Sequence, residues 1–230
     1  MNSIASSIQK IQENILQTAQ GCGRDPSSIQ LIAVSKTQPL AAILEAHRAG
    51  LRVFGENRVQ EAEEKIAELS DLQMEWHLIG HLQSNKVKKA FPLFSLIHSV
   101  DSPKLIADLE MEAVRRDRTV AILLQLNLSG EESKFGAGEG ELENLLASMQ
   151  KAPHLHCRGL MTIPPFVDNP EEVRPFFRQL RKLGEKYQSD LLQSGGKMIL
   201  SMGMTHDFQV AIEEGATMVR IGTAIFGNRT

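Results

Sequence analysis

Lys36 closes the short apolar run Leu31-Ile-Ala-Val-Ser, so its side chain leaves the end of a buried strand rather than the side of an exposed helix. With period-two alternation, an inward Ile32 and Val34 send Lys36 inward as well. A primary amine in that position can condense with a carbonyl as a Schiff base, most readily where burial or neighbouring cations favour its neutral form. A solvated lysine at a strand end fits the same residues, and both readings stand at this point. A second group lies near the other end of the chain: Ser201, Met202, Gly203 and Met204, then Gly222 and Thr223. Glycines let backbone N–H groups approach an anion, hydroxyls add donors, and the start of a following helix favours negative charge, so this group suits a phosphate. Tight packing or a bulge would use the same glycines.

Arg220 lies two residues before Gly222 and shares its strand face. An inward arginine needs a partner. A ring nitrogen acting as acceptor would serve, and so would an internal ion pair, for which Glu56 is one possible partner. An amine for an aldehyde, a phosphate site and an acceptor-seeking cation together match what pyridoxal phosphate requires.

The elements that would bring these residues to one place are regular. Eight short apolar runs, at 31–36, 53–56, 76–80, 96–101, 120–128, 157–163, 198–204 and 218–226, have strand length. Segments of helical spacing or composition lie between them, at 41–49, 58–69, 84–89, 103–116, 141–151, 170–187 and 207–214. Ser102 followed by Pro103 forms a helix start, and Gly50 and Gly215 can end helices. Strict alternation implies parallel strands joined by right-handed crossovers. Eight units, with no G-x-G-x-x-G turn after the first strand, favour an α/β fold of the (β/α)8 TIM-barrel type over an open sheet. First and last strands are then neighbours, and Lys36 and the phosphate group share the C-terminal mouth. Apolar positions Ile4, Ile8, Ile11, Ile15 and Ala19 predict an extra N-terminal helix outside the eightfold repeat.

The 230 residues accommodate one domain, 1–230. A formal charge of −3 from interspersed acids and bases gives no basic stripe for nucleic acid. No run approaches the ~20 apolar residues of a membrane span, and the N-terminus lacks a secretory pattern, so the expected location is cytoplasmic. Cys22 and Cys157 are expected as free thiols. His154, His156 and Cys157 form no fuller ligand set, and a turn after Pro153 leading into a strand accounts for them, so no metal is expected.

The stretches Leu31-Ile-Ala-Val-Ser-Lys36, Phe54-Gly-Glu-Asn-Arg58, Trp76-His-Leu-Ile-Gly-His81-Leu-Gln-Ser-Asn-Lys86, Lys134-Phe-Gly136, Gly159-Leu-Met-Thr162, Ser201-Met-Gly-Met204 and Arg220-Ile-Gly-Thr223 carry a resemblance over essentially the full length. The chain resembles the pyridoxal phosphate homeostasis family, which is similar to the barrel domain of alanine racemase, the type III fold of pyridoxal phosphate proteins. The resemblance implies a Schiff base between the cofactor and Lys36, a phosphate held by Ser201, Gly222 and Thr223 within the Gly203-containing motif, and Arg220 facing the pyridine nitrogen. Asn57 and His81 would line the pocket. It further implies pyridoxal 5'-phosphate (PLP) buffering or delivery, with an influence on amino-acid and 2-oxo-acid balance, rather than strong catalysis. Racemases of the fold add a C-terminal β-domain and an opposing tyrosine. This sequence shows no such domain after the eighth run, and Tyr187, its only tyrosine, is expected on the outer ring. An amino-acid racemase is the alternative, and a Schiff-base aldolase acting on a sugar phosphate a third reading. A monomer is expected, with PLP-dependent apoenzymes or a regulatory protein as partners.

Overall fold

The computed structural model describes residues 3–131, 133–192 and 195–227. Eight parallel strands close on themselves: β1 (Gln30–Val34), β2 (Val53–Glu56), β3 (Glu75–Leu78), β4 (Leu96–Val100), β5 (Val120–Leu126), β6 (Leu155–Thr162), β7 (Ile199–Met204) and β8 (Met218–Ile221). Closure is made by β8 against β1, with Gln30 opposite Met218 and Ala33 opposite Ile221. Around them lie α1 (Ile4–Gly21), α2 (Leu40–Arg48), α3 (Val59–Glu68), α4 (Val87–Ala90), α5 (Pro103–Arg116), α6 (Leu142–Met149), α7 (Arg174–Lys186), α8 (Gln188–Leu191), α9 (Phe208–Glu213) and α10 (Thr223–Phe226).

Alternation along the strands separates two apolar layers. Phe54, Leu78, Ile97, Ile122, Leu124 and Leu160 face outward and pack with Ile43, Ala62, Leu109 and Phe177 of the helices. Leu96, Leu123 and Met161 form a separate cluster with Ala121, Ile163, Ile199 and Met218, on the faces that point into the barrel. A Cβ on Gly55 would sit 3.0 Å from both Ile32 and Ile79, so these three also share the interior. Lys36 continues the inward phase of Ile32 and Val34.

The expected N-terminal helix is present and has a structural task. Ser3 caps it by accepting from the Ser6 N–H at 3.2 Å, and Ile8, Ile11, Ile15 and Ala19 form its buried stripe. It packs against α2, α9 and α10, completing the outer ring beside the β1–β8 seam, where β8 is followed by an α10 of one turn. Each isoleucine so buried contributes about 2 kcal/mol.

Some boundaries differ from those read in the sequence. The run 218–226 splits into β8 and α10 at Gly222, because Ile225 and Phe226 N–H donate back to the Gly222 carbonyl at 2.9 and 3.0 Å. Apolar content cannot distinguish a strand from a buried helical turn. The segment 170–187 begins as a 3-10 turn at Pro170–Val173 before α7, and 84–89 begins as another at Ser84–Lys86 before α4. Ser102 and Pro103 start α5 as expected, with the Ser102 hydroxyl accepting from Leu105 N–H at 3.2 Å. Among the described residues no helix is long and apolar enough to cross a membrane.

Candidate functional site

At the C-terminal ends of the strands a cavity of about 280 Å³ is lined by Val34 at the end of β1 and Lys36 in the turn after it, Asn57 after β2, Ile163 after β6, Met204 at the end of β7 and Thr205 to Asp207 after it, and Arg220, Gly222 and Thr223 from β8 and the start of α10. The structure therefore brings together Lys36, Asn57, Arg220, Gly222 and Thr223.

Lys36 is held from both sides. Glu56, wholly buried at the end of β2, accepts from Ser35 Oγ at 2.6 Å and from Lys65 Nζ at 2.8 Å. Lys65 also donates to the Ser35 carbonyl at 2.7 Å and to Glu61, and Glu61 accepts the Thr37 N–H. Burial pushes the Glu56 carboxyl above the ordinary carboxylate range, against the pull of Lys65 and Ser35. Thr37 has φ 61°, a left-handed conformation that a β-branched residue rarely adopts. The ion cluster fixes residues 35 and 37 and so keeps the strained turn that aims Lys36.

Arg220 forms the floor. It is 3% exposed, donates from Nη1 to Ser201 Oγ at 2.6 Å and from Nη2 to the Thr162 carbonyl at 2.9 Å. Burial pushes the guanidinium down to about 10, partly offset by Asp207, so it remains a cation at neutral pH. The ion pair with Glu56 that the sequence allowed does not form; Glu56 is engaged by Lys65 and Ser35 instead.

Three expected residues do not line this cavity. Ser201 is wholly buried beneath it, its hydroxyl engaged by Arg220 and by His98 Nδ1 at 2.9 Å. Gly203 serves packing: at φ +89°, a Cβ there would lie 2.5 Å from Ala211 Cβ and 3.0 Å from Phe208 Cα, so the residue lets α9 close onto β7. His81 lies in the adjoining depression with Asn57, Arg58, Gln83 and Lys86. Its ring stacks on Phe135 with centroids 3.9 Å apart, and its Nδ1 is 3.6 Å from Asp101. Asn57 borders both spaces, and the carbonyl of Asn57 would lie 2.3 Å from any Cβ at Gly80, so the loops after β2 and β3 touch there.

Sequence reasoning missed Thr205, His206, Asp207 and Phe166, all in loops. His206 Nε2 bonds the Asp168 carbonyl at 3.0 Å and its ring leans on Phe166, which ties the loop after β7 to the loop after β6 over the cavity. Asp207 accepts from Met204 N–H at 2.6 Å. The available signal was position alone, since βα loops build barrel sites. Also missed was the buried pair His77 and His98, whose place inside β3 and β4 follows from strand phase.

Outside the site, Tyr187 lies at the end of α7, donating to Glu143 at 2.6 Å on the outer ring. His154 pairs with Glu110 at 2.7 Å just before β6, and Cys157 is buried, its thiol pushed up to about 11 by burial. Both cysteines are free. Among the described residues no three His, Cys, Asp or Glu side chains converge as a metal site.

Residues 6–230 match the profile of the alanine racemase N-terminal domain. A pyridoxal phosphate homeostasis protein of Pseudomonas aeruginosa is 45% identical over 230 residues, covering 100% of this chain and 97% of that one. Another from Aquifex aeolicus is 43% identical over 222 residues, 96% of each. The solved structure of PipY from Synechococcus elongatus with PLP bound is 40% identical, covers 98% of this chain and 100% of that chain, and superposes with a TM-score of 0.86. Alanine racemase from Corynebacterium glutamicum, at 19% identity and a TM-score of 0.69, shares the fold over 95% of this chain and 61% of its own. A closed barrel with a lysine, an arginine and a glycine-threonine pair at one mouth, matched along its whole length by these relatives, belongs to the pyridoxal phosphate homeostasis protein family.

Proposed function

We propose that this protein holds PLP through a covalent bond to Lys36 and buffers or delivers it, with little catalysis of its own. The observation that carries the reading is the meeting of Lys36, Arg220, Gly222 and Thr223 at one cavity. The donor set fits the group. Lys36 supplies the amine, and Gly222 offers bare backbone, since a Cβ there would press to 3.3 Å on both Val34 Cβ and the Val34 carbonyl. Thr223 adds a hydroxyl at the start of α10, and together these suit a phosphate. Arg220 donates hydrogen bonds and keeps its proton, so a pyridine nitrogen placed against it stays unprotonated.

Bound there, PLP supplies an aldehyde that condenses with amines and a ring that withdraws electrons. An unprotonated ring nitrogen weakens that withdrawal, which favours holding the cofactor over using it. Asn57 lines the same wall, and the paired loops at Phe166 and His206 stand where a cofactor enters or leaves. The relatives' name and the PLP-bound PipY structure support the reading. Recipients would be PLP-dependent apoenzymes, or a regulatory protein reading the loaded state, met by a monomeric barrel.

The test is the visible absorption spectrum of the purified protein beside Lys36→Ala, before and after borohydride reduction, with peptide mapping. The expected outcome is a yellow wild type with the reduced label on Lys36. A wild type that stays colourless and unlabelled after added PLP would overturn the reading and turn attention to a sugar-phosphate barrel.

A further inference from the structure

Behind the cavity floor, a line of polar side chains crosses the barrel interior, and no part of the reading above uses it. Arg220 of β8 meets Ser201 of β7 at 2.6 Å. Ser201 Oγ lies 2.9 Å from His98 Nδ1 on β4, and His98 Nε2 lies 3.1 Å from His77 Nδ1 on β3. His77 Nε2 lies 2.9 Å from Glu75 Oε1, at the first residue of β3. Ser201 and His98 are wholly buried, and His77 is 1% exposed. The Glu75 side chain is 52% exposed, so the line runs from the cavity to solvent at the N-terminal end of the barrel. The surrounding interior is otherwise largely apolar, with Leu96, Leu123 and Met161 in it.

We propose that Glu75, His77, His98 and Ser201 are positioning residues for Arg220, linked in a one-way hydrogen-bond relay whose donors all point from the cavity floor toward the Glu75 carboxylate. The inference rests on the functional reading only in assigning Arg220 to the cofactor.

With both imidazoles neutral, the direction follows from counting protons. A guanidinium has no acceptor, so Arg220 donates and Ser201 Oγ accepts. At the other end Glu75 accepts, so His77 donates from Nε2. In the proposed relay both rings are neutral and each carries one N–H, so His77 Nδ1 is an acceptor and His98 donates to it from Nε2. His98 Nδ1 is then an acceptor, and the single Ser201 hydroxyl proton goes to it. Four contacts are satisfied by one proton each, with none left over. An additional proton on His98 would reverse its contact with Ser201, leave that hydroxyl accepting twice, and set a second cation beside Arg220. Burial, His77 and Arg220 hold His98 well below the ordinary histidine range, in keeping with that count. The His77 hydrogen bond, foremost, holds the Glu75 carboxyl below the ordinary range, which keeps it an acceptor.

The consequence for the site is electrostatic. Among the described residues Arg220 makes no salt bridge, although its guanidinium is almost fully buried. Asp207 opposes its charge from the side of α9. The relay adds a second source: aligned donors polarise one another and convey part of the Glu75 charge to Ser201 Oγ. The Nη1 donor is thereby fixed to the barrel wall, which sets the rotation of the guanidinium against the cavity.

The measurement is a long-range nitrogen–proton correlation spectrum of the full-length, histidine- and arginine-labelled protein without cofactor, for wild type, Glu75→Gln and the control Glu63→Gln. Glu63 is an exposed α3 carboxylate paired with Lys89, outside the relay. The expected wild type carries its proton on Nε2 of both rings. A glutamine amide can donate as well as accept, so Glu75→Gln should add a population with the proton on Nδ1 of both rings together, and should move the Arg220 Nε–H resonance, with no change in the control. PLP should bind Glu75→Gln about threefold more weakly, the worth of a partial hydrogen bond. An Nδ1–H on either wild-type ring, or tautomers and an Arg220 signal that stay put in Glu75→Gln, would overturn the relay. A wild type that takes up no PLP would instead overturn the functional reading, and the cofactor-free spectra would still decide the relay.

Discussion

Ser201→Ala separates two accounts of the same residue. In the structure its hydroxyl accepts from the Arg220 guanidinium at 2.6 Å and bonds the His98 ring at 2.9 Å, with no exposure to water. Alanine fills nearly the same space, so packing changes little. The loss falls on two buried groups whose partner has gone, and a buried polar group without its partner costs about 1–3 kcal/mol, more when charged. The sum is about 3 kcal/mol, which for a chain of this length is about 6–12 °C in melting temperature. Equilibrium urea unfolding and thermal melts of the PLP-free protein measure it. If the hydroxyl's task were instead to hold phosphate, cofactor-free stability would change by less than about 0.5 kcal/mol, and only PLP affinity would fall. That outcome would refute the placement of Ser201 beneath the cavity.

Three other perturbations follow from the same geometry. His98 binds its proton in the unfolded chain near pH ~6.5 but well below that when folded, so the unfolded state takes up protons first and wild-type stability falls on acidification, by up to ~1.4 kcal/mol per pH unit. His98→Gln lacks this titration, and its stability gap to wild type should narrow from pH 7 to pH 5 in urea unfolding; a constant gap would contradict the assignment. Lys65→Met leaves Glu56 buried without its cation and should cost about 3–5 kcal/mol by urea unfolding, less at acid pH where Glu56 can take up a proton. Gly203→Ala must place a Cβ 2.5 Å from Ala211 at a positive φ, and thermal unfolding should show a loss of more than about 2 kcal/mol.

The barrel could be read from the sequence because its signal is repeated: eight apolar runs of strand length with helical spacing between them are hard to produce by another fold. Arg220 could be read because it sits in a strand whose alternation fixes which way it points, and Lys36 because it follows directly on such a strand, although the turn at Thr37 finally aims it. The difficulty began where strands end. Thr205, His206 and Asp207 lie in a loop with no period, and their place at the cavity follows from how that loop folds back on Asp168. Residue type, position after the seventh run and the family resemblance point Ser201 and Gly203 toward a phosphate, but none of these carries depth. The pairing of β7 with β8 shifts register between Ser201 and Met204, an irregularity that moves the strand end relative to its neighbour. Ser201 thus lies a layer below the mouth, and Gly203 meets α9.

That displacement changes what the polar residues of this barrel are for. A serine at the mouth would be one more donor to a ligand. A serine beneath Arg220 joins the floor to the two histidines and, through them, to a carboxylate at the opposite end of the barrel. Three cavity-lining groups that could carry a proton are similarly engaged with the protein itself: Asp207 with the Met204 N–H, His206 with the Asp168 carbonyl, and Arg220 with the wall. Racemisation in this fold needs an acid–base group facing the lysine, and the one tyrosine of the chain is bound to Glu143 on the outer ring. On the proposed reading, side chains fixed in this way would hold PLP in place, and Arg220 would keep its ring nitrogen unprotonated, which weakens the ring as an electron sink for a carbanion. The amine of Lys36 at the cavity is then, on the same reading, the group through which PLP would be taken up or given away.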